Sequence, residues 1–304
     1  MDALAAQTFT DWEAVVWDNG STDGAVDRLR PPPGVRVVRS PDNLGFAAAN
    51  NRAAELSESR WIAGLNPDAF PEPDWLEQLV ATGERHGAEA VASLQLDDGD
   101  PRVLDGAGDS MSIFGIGWRG GYGFPVATAP TEEAEVFSPC GAAALYRRDV
   151  WRALGGFDER FFAYFEDVDL GFRIRLRGGR TVFSPRAVVR HVGSASSSTV
   201  SGFAERHGAR NRLWTFARDM PLFLMPLALP LHVAATLFVL VRSPDPVSRA
   251  ARLAGVREGL AGMGPFLKER GRWRARRPWA LARALAWSPR AVRRRRPVTR
   301  ALSR

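Results

Sequence analysis

Four groups of side chains in this chain are of the types that bind cations, accept protons or grip phosphate. Asp18 and Asp23 lie in the turn-forming run W-D-N-G-S-T-D-G, and Asp68 closes the triplet N-P-D. Glu166 and Asp167, with Asp169 two positions on, fall in F-F-A-Y-F-E-D-V-D-L, and His191 stands alone in the apolar run A-V-V-R-H-V. Singly, each has an ordinary structural reading: Asx turns for Asp18 and Asp23, a helix start for Asp68, a favourable helix N-terminus for Glu166 and Asp167, and a hydrogen-bonded core histidine for His191. As a set they point further. Carboxylate and imidazole suit a divalent cation such as Mg²⁺ or Mn²⁺, which can also grip a diphosphate. Neither G-x-x-x-x-G-K-[ST] nor H-E-x-x-H occurs, which removes the commonest nucleoside triphosphatase and zinc protease signatures.

The elements that must position these groups show in the hydrophobic pattern. Residues 13–17 form a short apolar run that stops at the Asp18 turn, and similar runs recur at 35–38, 61–65 and 90–94. Between them, residues 44–56 and 73–86 carry helical signals, the second opening with Pro73 before Trp75, Leu76, Leu79 and Val80. Strand alternating with helix predicts a mainly parallel sheet covered by helices, with ligands bound beyond the carboxyl ends of the strands. The loops after Trp17 and Leu65 are therefore the places for chemistry, and both carry aspartate. Residues 97–130 are rich in Gly, Asp and Pro without a sustained period and read as a long excursion. Its run G-I-G-W-R-G has the spacing of a dinucleotide fingerprint, but no strand precedes it and no helix start follows, so it reads as coincidence. A second block predicts a strand at 142–146, a helix from near Arg148, a helix over 167–177 and a strand at 188–191. No repeat of 20 to 50 residues is visible.

Five motifs stand in order: W-D-N-G-S-T-D-G, N-L-G-F-A-A-A-N-N, L-N-P-D-A, G-G-F-D-E-R-F-F-A-Y-F-E-D-V-D-L-G-F-R and R-H-V-G-S. With them the chain resembles glycosyltransferase family two, in the branch similar to bacterial rhamnosyltransferases, over roughly residues 3–215. The resemblance implies an α/β GT-A fold and an inverting, metal-dependent transfer of a sugar from a nucleotide-sugar donor. By the same resemblance the sugar is rhamnose and the acceptor a saccharide or polyprenyl-linked saccharide of cell-envelope polysaccharide synthesis. Carried over residue by residue, Asp18, Asn43 and Gly45 would bind the nucleotide. Asp68 and His191 would hold the divalent cation, with Asn66 leaving one carboxylate fewer than the commoner Asp-x-Asp. Asp167 would be the general base, and Glu166 its partner, positioning the acceptor or raising the proton affinity of Asp167. One base suffices, because inversion needs only an acceptor for the hydroxyl proton and the diphosphate leaving group needs no acid of the kind a glycosidase supplies. Family members begin with a strand of the type V-x-V-V-I-V-x-Y-N, whereas this sequence opens at M-D-A-L-A-A-Q, inside the helix that follows. The first strand is thus expected to be missing, through an incorrect start site or a fragment.

Composition bounds the rest. The 304 residues are 45% hydrophobic and 25% charged, enough for a large globular unit and against disorder. The net charge of +7 is unevenly spread: residues 242–304 hold 18 basic residues and three acids, a balance of +15, which leaves −8 for residues 1–241. A single cysteine, Cys140, excludes an internal disulfide. Residues 220–241 carry no formal charge with His232 neutral and are long enough to span a bilayer, but Pro221, Pro226 and Pro230 oppose a straight span. A span would also place the body opposite the basic tail. Peripheral or monotopic attachment to an anionic membrane surface, on the cytoplasmic face, is the expectation, with nucleic acid the less favoured partner for the tail. The chain is accordingly divided into a transferase unit, 1–215, and a membrane-associating helical extension, 216–304. The alternative is a non-catalytic membrane- or nucleic-acid-binding protein built on a degenerate transferase body.

Overall fold

The computed structural model describes residues 1–193, 201–273 and 275–302. After a four-residue helix α1 (Asp2–Ala5), strands β1 (Ala14–Asn19) and β2 (Val35–Ser40) pair in parallel, from Ala14 opposite Val35 to Asn19 opposite Ser40. They form a two-stranded sheet of their own, and no strand precedes β1 among the described residues. Helix α2 (Gly45–Glu55), strand β3 (Trp61–Leu65), strand β4 (Ala69–Pro71), helix α3 (Trp75–His86) and strand β5 (Ala90–Asp97) follow. The expected strands and helices are thus present, α3 starting two residues after Pro73.

The main sheet has seven strands in the order β3-β10-β5-β11-β4, where β10 is Ala143–Arg147 and β11 is Thr181–His191. Strand β6 (Leu104–Ala107) pairs with β5, and β9 (Ala134–Val136) pairs with β11. Strands β3, β5 and β11 run the same way, as the alternation of strand and helix requires. Yet β10 enters antiparallel between β3 and β5, and β4, β6 and β9 are antiparallel to their neighbours, so the sheet is mixed rather than mainly parallel. The physical reason is that Ala143, Ala144 and Leu145 are wholly buried, and an apolar run of this kind carries no sign of its direction. Strand β11 is longer than the expected 188–191. Pro185 lies where its register to β5 shifts, between Ser184 and Val188, and breaks the apolar pattern there. In the excursion, β7 (Asp109–Met111) and β8 (Gly117–Arg119) form an antiparallel ribbon. The G-x-G-x-x-G run is therefore partly strand and opens no helix.

Helix α4 (Arg148–Leu154) leads to α5 (Glu166–Leu176), of which every residue but Asp167 is buried. Helix α6 (Phe203–Asp219) runs through the expected division at 215. It packs on α8 (Pro246–Ala261) and α9 (Met263–Glu269) as well as on α5. Helix α7 (Met225–Val241) carries the apolar segment, with Pro230 inside it. The basic stretch ends in α10 (Pro278–Ala284) and α11 (Pro289–Arg294) and is folded onto the body rather than held apart. Leu281 and Leu285 share one buried cluster with Phe172, Phe216, Met220 and Leu224, and Arg300 pairs with Glu135 through both backbone bonds.

Candidate active site

Three neighbourhoods converge at the carboxyl ends of the strands. At the end of β1 the backbone N–H of Ser21 donates to Asp18 Oδ1 at 3.0 Å, so the aspartate does close a turn. Those bonds from Ser21, together with Arg39, hold its carboxyl below the usual range against the effect of burial. Next to it Asn19 ties down the second motif: its Nδ2 donates to Asn43 Oδ1 at 3.0 Å, and its Oδ1 accepts from the Leu44 N–H at 2.9 Å. Asn43 Oδ1 in turn accepts from the Gly45 N–H at 2.9 Å. Gly45 has φ +83°, and a Cβ there would stand 2.5 Å from the ring of Phe162, so no larger residue fits. Asp18, Asn43 and Gly45 are thereby brought together, and Asn19, an unremarkable turn residue by sequence, joins them. Asp23 takes no part; it is exposed and accepts from the Ala25 N–H.

Asp68 follows β3 and meets His191 at the end of β11. The Val192 N–H donates to the Asp68 carbonyl at 3.0 Å, and His191 Nε2 lies 3.3 Å from Asp68 Oδ1 without hydrogen-bond alignment. On its other side His191 Nδ1 donates to Asp105 Oδ2 at 2.8 Å, and Arg119 Nη1 donates to Asp105 Oδ1 at 2.5 Å. Burial alone would lower the imidazole pKa, but Asp105 and Asp68 hold it up at about 9. Asp105 and Arg119 were not anticipated, since both lie in the aperiodic excursion. The only signal was the pair of acids bracketing the glycines in D-G-A-G-D.

Glu166 and Asp167 open α5. The Gly141 N–H donates to Asp167 Oδ2 at 2.8 Å and the Val168 N–H to Oδ1 at 2.7 Å. Asp109, Cys140 and Asp167 bring their oxygens and sulfur within 4.8 Å of one another. Loss of water raises all of these groups: Glu166 and Asp109 go well above the usual carboxylate range, the Asp167 charge adding to both, and the Cys140 thiol is pushed up to about 12. Asp167 is raised as well, but its two N–H donors and Arg119 oppose the effect. It is thus the member of the group best able to stay ionised while its neighbours hold their protons. Glu166 Oε2 is buried with no hydrogen-bond partner among the described residues. Asp169 points away and is an ion-pair residue, bonded to Arg173 at 2.8 Å and to Arg218. The turn at 140–142 joins the last two neighbourhoods: its Gly141 N–H holds Asp167, and its Ala142 carbonyl accepts from the Asn66 N–H at 2.8 Å.

A mixed sheet with flanking helices and acidic loops at the strand ends is the GT-A scaffold of a sugar-transferring enzyme. The family model of glycosyl transferase family 2 matches residues 1–155, and that of glycosyl transferase family group 2 matches residues 116–245. The chain belongs to glycosyl transferase family 2, in its rhamnosyltransferase-like part, and is a glycosyltransferase. An N-acetylglucosaminyl-diphospho-decaprenol L-rhamnosyltransferase of Mycobacterium tuberculosis is 33% identical over 215 residues, covering 62% of this chain and 69% of that protein. The O-antigen biosynthesis protein RfbC of Myxococcus xanthus is 31% identical, over 64% of this chain but 16% of its own length. Two solved structures share the fold. A mannosyltransferase from Pyrobaculum calidifontis, solved with GDP-Man and Mn²⁺, has a TM-score of 0.51 at 20% identity, over 88% of this chain and 78% of that one. GalNAc-T7, solved with UDP, GalNAc and Mn²⁺, has a TM-score of 0.54 at 15% identity, over 84% of this chain and 50% of that one. The enzyme reading displaces the non-catalytic alternative.

Proposed function

We propose that this glycosyltransferase moves a sugar, L-rhamnose first among the candidates, with inversion from a nucleoside diphosphate donor to a saccharide carried on a polyprenyl lipid. The diphospho-decaprenol acceptor in the name of the mycobacterial relative supports that acceptor class. The observation that supports the reading is the 140–142 turn, which binds both Asp167 and Asn66 and so ties the proposed base to the loop that carries Asp68. Asp18, Asn43 and Gly45 receive the nucleotide. Asp167 takes the proton of the acceptor hydroxyl as its oxygen bonds to the anomeric carbon. Glu166, whose carboxyl is raised by burial and by the neighbouring Asp167 charge, would position the acceptor hydroxyl.

The donor set suits a divalent cation. Nδ1 of His191 is committed to Asp105, which leaves Nε2 as the ligating atom; it is buried and sits 3.3 Å from a carboxylate oxygen, and a cation bound there would displace the proton that the two carboxylates otherwise hold on the ring. Mg²⁺ or Mn²⁺ held there by Asp68 and His191 would offset charge developing on the leaving diphosphate. In this reading residues 1–215 carry the transfer site and 216–304 attach it to the cytoplasmic face of the membrane. The outer face of α7 supports this, since Leu229, Val233, Leu237, Phe238 and Val241 are all exposed. A donor screen with Mg²⁺ or Mn²⁺ tests the reading. Asp167→Asn should lose transfer by on the order of 10²- to 10⁴-fold with donor binding near normal, whereas Asp68→Ala and His191→Ala should weaken cation and donor binding together. Equal loss of donor affinity in all three variants overturns the roles.

A further inference from the structure

The backbone immediately before the two site carboxyls is bent against its own preferences. Phe162, Tyr164 and Phe165 have φ of +64°, +69° and +71°, three of the four non-glycine residues with positive φ among the described residues. Side chains of this size do not adopt that region unless the surroundings enforce it. Three carbonyls of the segment turn toward one point on α6. There the Nδ2 of Asn211 lies 3.0 Å from the Phe161 oxygen, 2.9 Å from that of Ala163 and 2.7 Å from that of Tyr164. Asn211 is fully buried, and its own Oδ1 accepts from Arg210 Nε at 2.9 Å, which fixes the way the amide faces. The segment also touches both ends of the site. The Phe162 carbonyl accepts from the Ala47 N–H at 3.1 Å beside Gly45, and the Phe165 carbonyl accepts from the Asp169 N–H at 2.8 Å in the first turn of α5.

We propose that Asn211 is a positioning residue for the transfer reaction, its amide holding the 162–165 segment in its left-handed path and so setting Glu166 and Asp167 against the crevice. The inference rests on Asp167 as the base. The Phe161 carbonyl has a second donor in Arg210 Nη2 at 2.8 Å, so the amide's part is to draw the 163–164 carbonyls to the same point: aspartate would put a fourth oxygen among three, and an aliphatic residue would take the shared donor away.

Asn211→Ala and Asn211→Asp in the full chain test it, with Asn211→Ser as a variant that admits a water if alanine does not fold. Amide exchange should rise in peptides covering residues 158–170 and little elsewhere. Turnover of deoxythymidine diphosphate rhamnose, or of the donor the screen selects, should fall at least a hundredfold while affinity for the free nucleoside diphosphate with Mn²⁺ stays within threefold. Leu79→Ala, which opens the separate buried cluster between α3 and the sheet, one that holds no residue of 158–170, is the control: at a similar loss of melting temperature it should keep turnover within threefold. Unchanged exchange over 158–170, or turnover in the Asn211 variants that merely follows Leu79→Ala, overturns the proposal. A fully active Asp167→Asn would instead sink the base assignment and leave the exchange measurement to judge the clamp.

Discussion

His191 can offer a cation one nitrogen only, because Nδ1 is spent on Asp105. That makes Asp105 the residue that aims the ring, and Arg119, at 2.5 Å from the other carboxylate oxygen, the residue that aims Asp105. Asp105→Asn keeps an acceptor but gives up the charge and the firm pairing to Arg119. Loss of such an outer partner costs about 10- to 100-fold in metal affinity, so Mn²⁺ binding measured by calorimetry below the melting transition should weaken by that factor, alongside a lowered melting temperature as Arg119 loses its charged partner. Unaltered affinity would show that the ring is held by something else. Why Asp105 escaped the sequence while His191 did not is a matter of distance along the chain. Asp18, Asn43, Gly45, Asp68, Asp167 and His191 each lie in a short motif whose local pattern announces a strand end or a helix start. Asp105 meets its histidine 86 positions away, across a stretch with no period, and only the folded sheet brings them together. Asp109 is hidden for the same reason, and Asp169 misled in the opposite sense, because an acid one turn along α5 looks like its neighbours but faces arginines.

Elements were legible where their hydrophobic period was intact and not where topology or a proline decided. Strands β1, β2, β3 and β5 and helices α2 and α3 follow the pattern; the direction of β10 and the first half of β11 do not show in it. Least visible was how α5, α6 and α9 are fastened. Asp158 sits at their junction, with Arg160 at 2.6 Å, Arg218 at 2.6 Å, and Glu269 of α9 bridging the same two guanidinium groups. Burial works against the Asp158 charge, but the two arginines hold its pKa at about 2. A carboxyl depressed in this way adds stability that is present above its unfolded value of 3.8 and is lost as pH falls through about 2. The shift corresponds to about 2 kcal/mol. Asp158→Asn keeps the cap to the Arg160 N–H while removing the charge. Denaturant unfolding should show the variant less stable by about that amount at pH 6, with the gap closing between pH 4 and pH 2. A gap that persists at pH 2 would trace the loss to packing instead.

At the scale of the molecule, the basic stretch and the apolar helix belong to one surface. The Phe223 and Trp279 rings lie 5.8 Å apart, and Val292 of α11 packs on the same cluster as Leu231 of α7. Trp279 and Trp287 are exposed beside them, as are Arg293, Arg294 and Arg296. Truncation at residue 242 would therefore tear Leu281 and Leu285 out of the core and test folding rather than attachment, so the two forces are better separated by substitution. On vesicles of phosphatidylglycerol and phosphatidylcholine, each arginine near the surface contributes on the order of 1 kcal/mol, and salt screens it within a Debye length of about 3 Å at 1 M. Changing Arg293, Arg294 and Arg296 together to glutamine should cost roughly a hundredfold in binding at low salt and almost nothing at 1 M salt. Leu237→Glu with Phe238→Glu, on the exposed face of α7, should do the reverse, removing the fraction that cosediments at 1 M salt. In the proposed attachment the positive-inside rule would keep the basic side cytoplasmic; shallow docking would leave the body there with it, whereas a single span would separate the two. Complete release of the unaltered protein at 1 M salt, in monodisperse form, would defeat apolar docking and reduce the proposed attachment to charge alone.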